Sequence, residues 1–78
     1  MNPRFAQDAE AVYGAICRRL ANRLDLIKEF GIDACMEVAG EVADDVAHAY
    51  PIEEIGTSDV SGWIRDLEGR LSNIEVRG

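Results

Sequence analysis

The spacing of the apolar residues constrains the fold of this chain more than any other feature of its sequence. These residues recur mostly every three or four positions, in three successive runs. The first run contains Phe5, Ala9, Val12, Ile16, Leu20, Leu24 and Ile27. The second contains Ile32, Cys35, Ala39, Val42, Val46 and Ala49, and the third contains Val60, Trp63, Ile64, Leu67, Leu71 and Ile74. Such spacing places apolar side chains on one face of an α-helix. We therefore predict an all-α fold.

Two sites at the ends of the first run predict where its helix begins and ends. Asn2 is a favourable capping residue, and Pro3 is tolerated at the first helical position because that N–H group has no partner in a helix. Gly31 can adopt a positive φ, so we expect the helix to end there with a contact between Ile27 and Ile32.

The segment from Pro51 to Thr57 separates the second helix from the third. Pro51 keeps its predecessor out of the helical region, which ends the second helix. Thr57 or Ser58 can cap the third helix, and Asp59 then lies in the first turn, where a negative charge is favoured.

These boundaries predict one antiparallel three-helix domain over residues 1–78, with helices at about 3–30, 32–49 and 58–73. A domain of this size buries only about 60% of its unfolded surface and is marginally stable alone. Four glycines fall inside the helices, at positions 14, 40, 62 and 69. We expect either close helix packing at these glycines or stabilisation by a second subunit.

The acidic residues are concentrated in the middle of the chain, whose net charge is −7. The segment 29–59 has nine carboxylates and neither lysine nor arginine. Six polar positions are predicted to lie opposite the apolar run of the second helix: Asp33, Glu37, Glu41, Asp44, Asp45 and His48. Like charges three or four residues apart destabilise a helix, so this pattern favours a use in binding.

The predicted partner-binding site consists of seven of the nine carboxylates in segment 29–59: Asp33, Glu37, Glu41, Asp44, Asp45, Glu53 and Glu54. The field of such a block attracts a basic protein surface and repels nucleic acid and anionic membranes. A different interpretation is that the acidic face only keeps the protein in solution. Four basic residues of the first helix could also neutralise it: Arg18, Arg19, Arg23 and Lys28.

No pattern in the sequence predicts catalysis, a cofactor or a metal site. Glu41, Asp45 and His48 share one side of a helix, but a carboxylate-bridged metal site needs further ligands from other helices. A nucleophile, a base and an orienting group do not converge. A nucleic-acid-binding helix would be basic, whereas the second helix is acidic and the third is neutral, so we expect no direct nucleic-acid binding.

Compartment and redox state follow from two further features. No apolar run approaches the roughly 20 residues that span a bilayer, and no signal segment is recognisable, so we expect a cytoplasmic protein. Cys17 would lie much farther from the turn at Gly31 than Cys35, so the Cα atoms of the two residues would be too far apart for a disulfide. We expect both to be reduced, as small apolar residues of the core.

The short length, the acidic all-helical pattern and the segment from Glu53 to Trp63 (EEIGTSDVSGW) resemble small accessory proteins of bacterial phages and prophages. Some anti-CRISPR proteins are of this type, and several present carboxylates that occupy the nucleic-acid-binding groove of a CRISPR effector. The resemblance implies an inhibitor that acts in the bacterial cytoplasm.

Two functional hypotheses follow from the sequence. The first is a non-enzymatic inhibitor whose acidic helix face occupies a basic, nucleic-acid-binding surface, such as that of a CRISPR effector subunit. The second is a small structural or regulatory homodimer, in which the acids serve only solubility.

Overall fold

A computed structural model describes residues 3–49 and 51–77, with side chains through residue 74. Within these ranges the chain forms four helices and no strand, which confirms the all-α prediction. The helices are α1 (Phe5–Leu20), α2 (Leu24–Phe30), α3 (Ile32–Ala49) and α4 (Thr57–Arg77).

The three long helices, α1, α3 and α4, each contact the other two. Helices α1 and α3 run antiparallel, because the ring of Phe5 lies against His48 and the ring of Tyr13 lies beside Gly40. Helix α4 runs in the same direction as α1, since Ile52, before α4, hydrogen-bonds to Asp8 near the start of α1 and Glu68, within α4, pairs with Arg23 just after the end of α1.

The prediction of a single helix over residues 3–30 is wrong, because the chain breaks after Leu20. Tight backbone bonds from Asn22 N to Arg19 O (3.0 Å) and from Arg23 N to Leu20 O (2.9 Å) form a turn. The turn shifts the phase of the apolar face, so Leu24 is 59% exposed and Leu26 is buried in its place.

The predicted start of the first helix is also wrong. Helix α1 begins at Phe5, and Pro3 and Arg4 form a turn before it. The N–H of Asp8 donates to the carbonyl of Arg4 (2.9 Å), and the Arg4 side chain provides no capping hydrogen bond. Asn2, the predicted cap, lies outside the described residues.

Gly31 joins α2 to α3, as the sequence predicts. Its φ of +91° is one that residues with a Cβ rarely adopt. Its N–H donates to Ile27 O (2.9 Å), and its carbonyl accepts from Cys35 N (3.1 Å), so the same residue ends one helix and begins the next. Ile27 and Ile32 line one shallow apolar cavity on the surface.

Helix α4 begins at Thr57, in agreement with the predicted position, although its cap differs. Thr57 is the first helical residue, so neither Thr57 nor Ser58 occupies the capping position. Gly56 lies there instead, and its N–H donates to Asp59 Oδ2 (3.0 Å). The helix extends to Arg77, four residues beyond the predicted end.

The core lies between α1, α3 and α4 and contains apolar residues of all four helices and the connecting loop. Its fully buried members include Val12, Ile16, Cys35, Val42 and Leu67. The second apolar run was predicted partly wrongly. Val38, Ala43 and Ala47 are buried, whereas Ile32 and Ala49 are exposed. The inner face of α3 is therefore wider than the predicted seam and rich in alanine.

Close packing does not account for the two glycines of α4. A Cβ placed on Gly62 or Gly69 would meet no heavy atom within 4 Å. At Gly40 the nearest atom would be Tyr13 Cε1 at 4.0 Å, an ordinary contact distance. In the described part of the chain, no helix has the length and apolar character needed to cross a membrane.

Candidate functional site

The outward side of α3 carries a row of five exposed carboxylates, which we call the acidic ridge: Asp33, Glu37, Glu41, Asp44 and Asp45. Asp33, Glu37 and Glu41 follow each other at steps of four, and Asp44 and Asp45 lie three and four residues beyond Glu41, so all five share one side of the helix. Side chains at such steps are about 5–6 Å apart. The opposite side of α3 is buried in the core and fixes the helix rotation. The structure thus brings together five of the seven predicted site residues.

Arg70 of α4 covers one part of the ridge. Its Nη1 lies 3.8 Å from Glu41 Oε1, and its Nη2 donates to Asp45 Oδ2. Its Nε also donates to Asp66 (3.2 Å), within α4. Hydrogen bonds to Asp66 and Asp45 raise the pKa of Arg70, which keeps the guanidinium charged. Exposed pairs of this kind contribute about 0–1 kcal/mol each.

The basic residues at the end of α1 do not reach the ridge. Arg23 forms ion pairs with Asp25 (3.0 Å) and Glu68 (2.7 Å). Arg18 donates from Nε to the carbonyl of Gly14 (3.3 Å). Among the described residues, no ion pair joins a basic side chain of α1 or α2 to an acid of α3.

Three ridge carboxylates are therefore left without an ion pair among the described residues. Over residues 3–49 and 51–74, the structure shows no ion pair for Asp33, Glu37 or Asp44. They are spaced by four and seven residues along α3. At 1.5 Å per residue they span about 16 Å of the helix axis.

The other two predicted site residues, Glu53 and Glu54, lie on a separate segment. Both are exposed in the loop between α3 and α4. The loop is held by its neighbour Ile52, which is buried and whose N–H donates to Asp8 Oδ2 (3.1 Å). The position of these two acids therefore depends on a residue of α1.

Asp8 is a structurally important residue that the sequence analysis did not identify. It is 2% exposed, and Arg4 Nη2 lies 3.6 Å from its Oδ1. One signal in the sequence pointed to it: Asp8, Val12 and Ile16 follow each other at steps of four, and the other two are fully buried. A carboxylate in line with core residues must find hydrogen-bond donors when it is buried.

The metal unit considered at Glu41, Asp45 and His48 does not assemble. Asp45 is directed to Arg70, whereas the ring of His48 packs against Phe5 with centroids 4.1 Å apart. His48 Nδ1 also lies 2.9 Å from the carbonyl oxygen of Asp44. Within the described residues, no group of three or more His, Cys, Asp or Glu side chains is placed to hold a metal ion.

Both cysteines are free thiols, as predicted. Cys35 is fully buried, and its Sγ lies 3.6 Å from the carbonyl oxygen of Leu26. Burial raises the pKa of the Cys35 thiol, so the reactive thiolate is disfavoured. The predicted core position of Cys17 is wrong, because this residue is only partly buried and lines the shallow apolar cavity beside Met36.

The chain matches no protein-family model, and neither the curated proteins nor the solved structures gave a significant match.

Proposed function

We propose that this protein is a non-enzymatic inhibitor that binds the basic, nucleic-acid-binding surface of a partner protein through the acidic ridge of α3. The observation that supports this most directly is the set of exposed carboxylates without ion pairs, Asp33, Glu37 and Asp44, on one side of a single helix.

The energetics of α3 favour a role for these acids beyond solubility. Like charges at i, i+4 cost a helix a few tenths of a kcal/mol per pair. Arg70 relieves this repulsion only at Glu41 and Asp45. A basic partner would relieve the remaining like-charge repulsion along α3. Part of the binding free energy would therefore come from removing a repulsion that is present in the free protein.

A rigid helix presents negative charge at regular intervals, as a nucleic-acid strand does. The ridge is held by the buried face of α3, so little ordering of the backbone is required on binding. Glu53 and Glu54 extend the negative surface beyond the C-terminal end of α3. A CRISPR effector subunit is one partner with the required basic groove, in keeping with the resemblance to phage accessory proteins.

The test is affinity capture from a bacterial lysate with variants matched in charge. One bait carries Glu37→Lys and Asp44→Lys on the ridge, and the control carries Glu10→Lys and Glu29→Lys on α1 and α2, at exposed positions. Both variants change the net charge by the same amount. We expect the control to retain a nucleic-acid-binding protein at low salt and the ridge variant to lose it. Equal retention by both baits would exclude the ridge as the binding site.

The second candidate function, a small structural or regulatory homodimer, is favoured by several exposed apolar side chains. Leu24, Ile32 and Met36 are 59%, 48% and 43% exposed, and Ile74 of α4 is 52% exposed. Burial of such side chains in a dimer would stabilise a small domain. Sedimentation equilibrium distinguishes the two candidates: a concentration-dependent dimer supports the second, and a strict monomer over the same range excludes it.

A further inference from the structure

A groove between α1 and α4 gathers most of the arginines of the described chain. One cavity in it, of about 220 Å³, is lined by Arg19, Arg23, Ser61, Ile64, Arg65 and Glu68. An adjoining cavity of about 400 Å³ shares Arg19 and adds Arg18 and Asn22. No residue of α3 lines either cavity. The groove is therefore distinct from the acidic ridge.

The charge in this groove is only partly compensated. Arg23 is bound to two carboxylates, Asp25 and Glu68, and these hydrogen bonds raise its pKa. Arg19 and Arg65 have no ion pair in the part of the chain that the structure describes. Two guanidinium groups for which the described residues provide no ion pair therefore line one cavity, beside Arg23 and its partner Glu68, in a protein whose net charge is −7.

We propose that this groove binds small phosphate-bearing anions, with Arg19, Arg65 and Ser61 donating to the phosphate oxygens. Guanidinium groups match phosphate geometry through paired N–H donors, and a serine hydroxyl supplies a third donor. A tetrahedral dianion offers enough acceptors for donors that come from two different helices. It also neutralises the two arginines, Arg19 and Arg65, that form no ion pair with the described residues.

The three proposed donors lie around a small cavity. The cavity lined by Arg19, Arg65 and Ser61 has a volume of about 220 Å³, below the roughly 300–1,000 Å³ of pockets for drug-sized molecules. The adjoining cavity, of about 400 Å³, lies within that range and continues the groove through Arg19. The negative field of the acidic ridge opposes a long polyanion, so we assign the site to small phosphates and not to nucleic acid.

The test is a titration of the intact protein with pyrophosphate, observed by NMR at the Arg19 and Arg65 side-chain Nε–H groups. Sodium chloride at equal ionic strength serves as the baseline. We expect saturable shifts in both side chains. Arg65→Gln and Arg19→Gln should each weaken pyrophosphate binding roughly tenfold or more, because each variant loses a charge-assisted hydrogen bond. The control is Lys28→Gln, which removes the same charge from an exposed site outside the groove and should leave the affinity unchanged.

Several results would overturn the assignment. These are shifts that never saturate, shifts that sodium chloride reproduces, and equal weakening by Lys28→Gln, which would mean general charge attraction. Tight binding of a short single-stranded oligonucleotide that pyrophosphate does not displace would also contradict a small-phosphate site. Arg65 is exposed, so circular dichroism should show an intact fold in Arg65→Gln even if Arg19→Gln is destabilised.

Discussion

The carboxylate of Asp8 accepts a hydrogen bond from the backbone N–H of Ile52 across 44 positions of the chain, at 3.1 Å. This bond ties the first turns of α1 to the loop that enters α4. It satisfies a buried donor and a buried acceptor together, since Asp8 is 2% exposed and Ile52 is 8% exposed. The same bond positions the loop that carries Glu53 and Glu54.

Asp8→Ala is expected to destabilise the protein by about 1–3 kcal/mol, because the N–H of Ile52 loses its acceptor in a buried site. Asp8→Asn keeps an acceptor oxygen and should lose less. Urea unfolding monitored by circular dichroism measures both changes in the free energy of unfolding. An alanine variant as stable as the wild type would show that the bond contributes nothing.

Asp8 also illustrates how much the sequence could predict. Its spacing from Val12 and Ile16 indicates a position on the buried face of α1, but its hydrogen-bond partner lies 44 residues away, and local periodicity contains no information about that contact. The outward position of the acidic residues of α3 was predictable, because it follows from the apolar residues on the other side of the same helix. The helix end at Gly31 was also predictable, because glycine readily adopts the positive φ that the chain has there.

The break between α1 and α2 was missed because the segment Ala21-Asn22-Arg23 contains neither glycine nor proline. The apolar spacing continues through it to Leu24, so a single helix satisfied the pattern. The structure uses Leu26 instead, and Arg23 reaches Glu68 of α4. Tertiary contacts therefore decided the helix boundary, as they commonly do when local preferences are weak.

Gly62→Ala and Gly69→Ala are each expected to stabilise the protein by about 0.5–1 kcal/mol, because alanine restricts the unfolded chain and favours the helix. A Cβ at either position meets no atom within 4 Å. Thermal unfolding measures the effect.

Gly31→Ala is the matched control for these two substitutions. It should destabilise the protein, since its φ of +91° strains any residue with a Cβ. A loss of stability at Gly62 or Gly69 in dilute protein would contradict the open surroundings of α4.

Arg70→Gln is expected to lower stability at low salt by up to about 1 kcal/mol, because Glu41, Asp45 and Asp66 lose their shared cation. The loss should shrink as salt screens the repulsion among these carboxylates. Urea unfolding at several salt concentrations measures it. Lys28→Gln, which removes an exposed cation from α2, should show a smaller salt-dependent loss. Equal responses of the two variants would argue against the network around Arg70.

Stability is expected to fall in alkaline solution as two buried or partly buried groups ionise. Burial raises the pKa of Cys35 above its usual 9.0, and burial together with a hydrogen bond to Cys17 raises the pKa of Tyr13. A raised folded-state pKa means that the unfolded chain ionises first. The stabilising contribution is complete below the unfolded pKa and is lost as pH rises towards the folded value.

The pH dependence is measured as the free energy of unfolding from neutral pH to above pH 9, the usual pKa of the thiol. Cys35→Ala removes one of the two ionising groups, so its stability should decline less steeply over the same range. An unchanged slope in this variant would show that the thiol does not contribute.

We propose that the acidic ridge competes with nucleic acid for one surface of the partner. A competition assay tests this competition, with this protein titrated into the captured partner bound to a labelled oligonucleotide. The wild type and the Glu10→Lys/Glu29→Lys control should displace the oligonucleotide, and the Glu37→Lys/Asp44→Lys variant should not. A ternary complex that retains the oligonucleotide at saturating wild-type protein would contradict it.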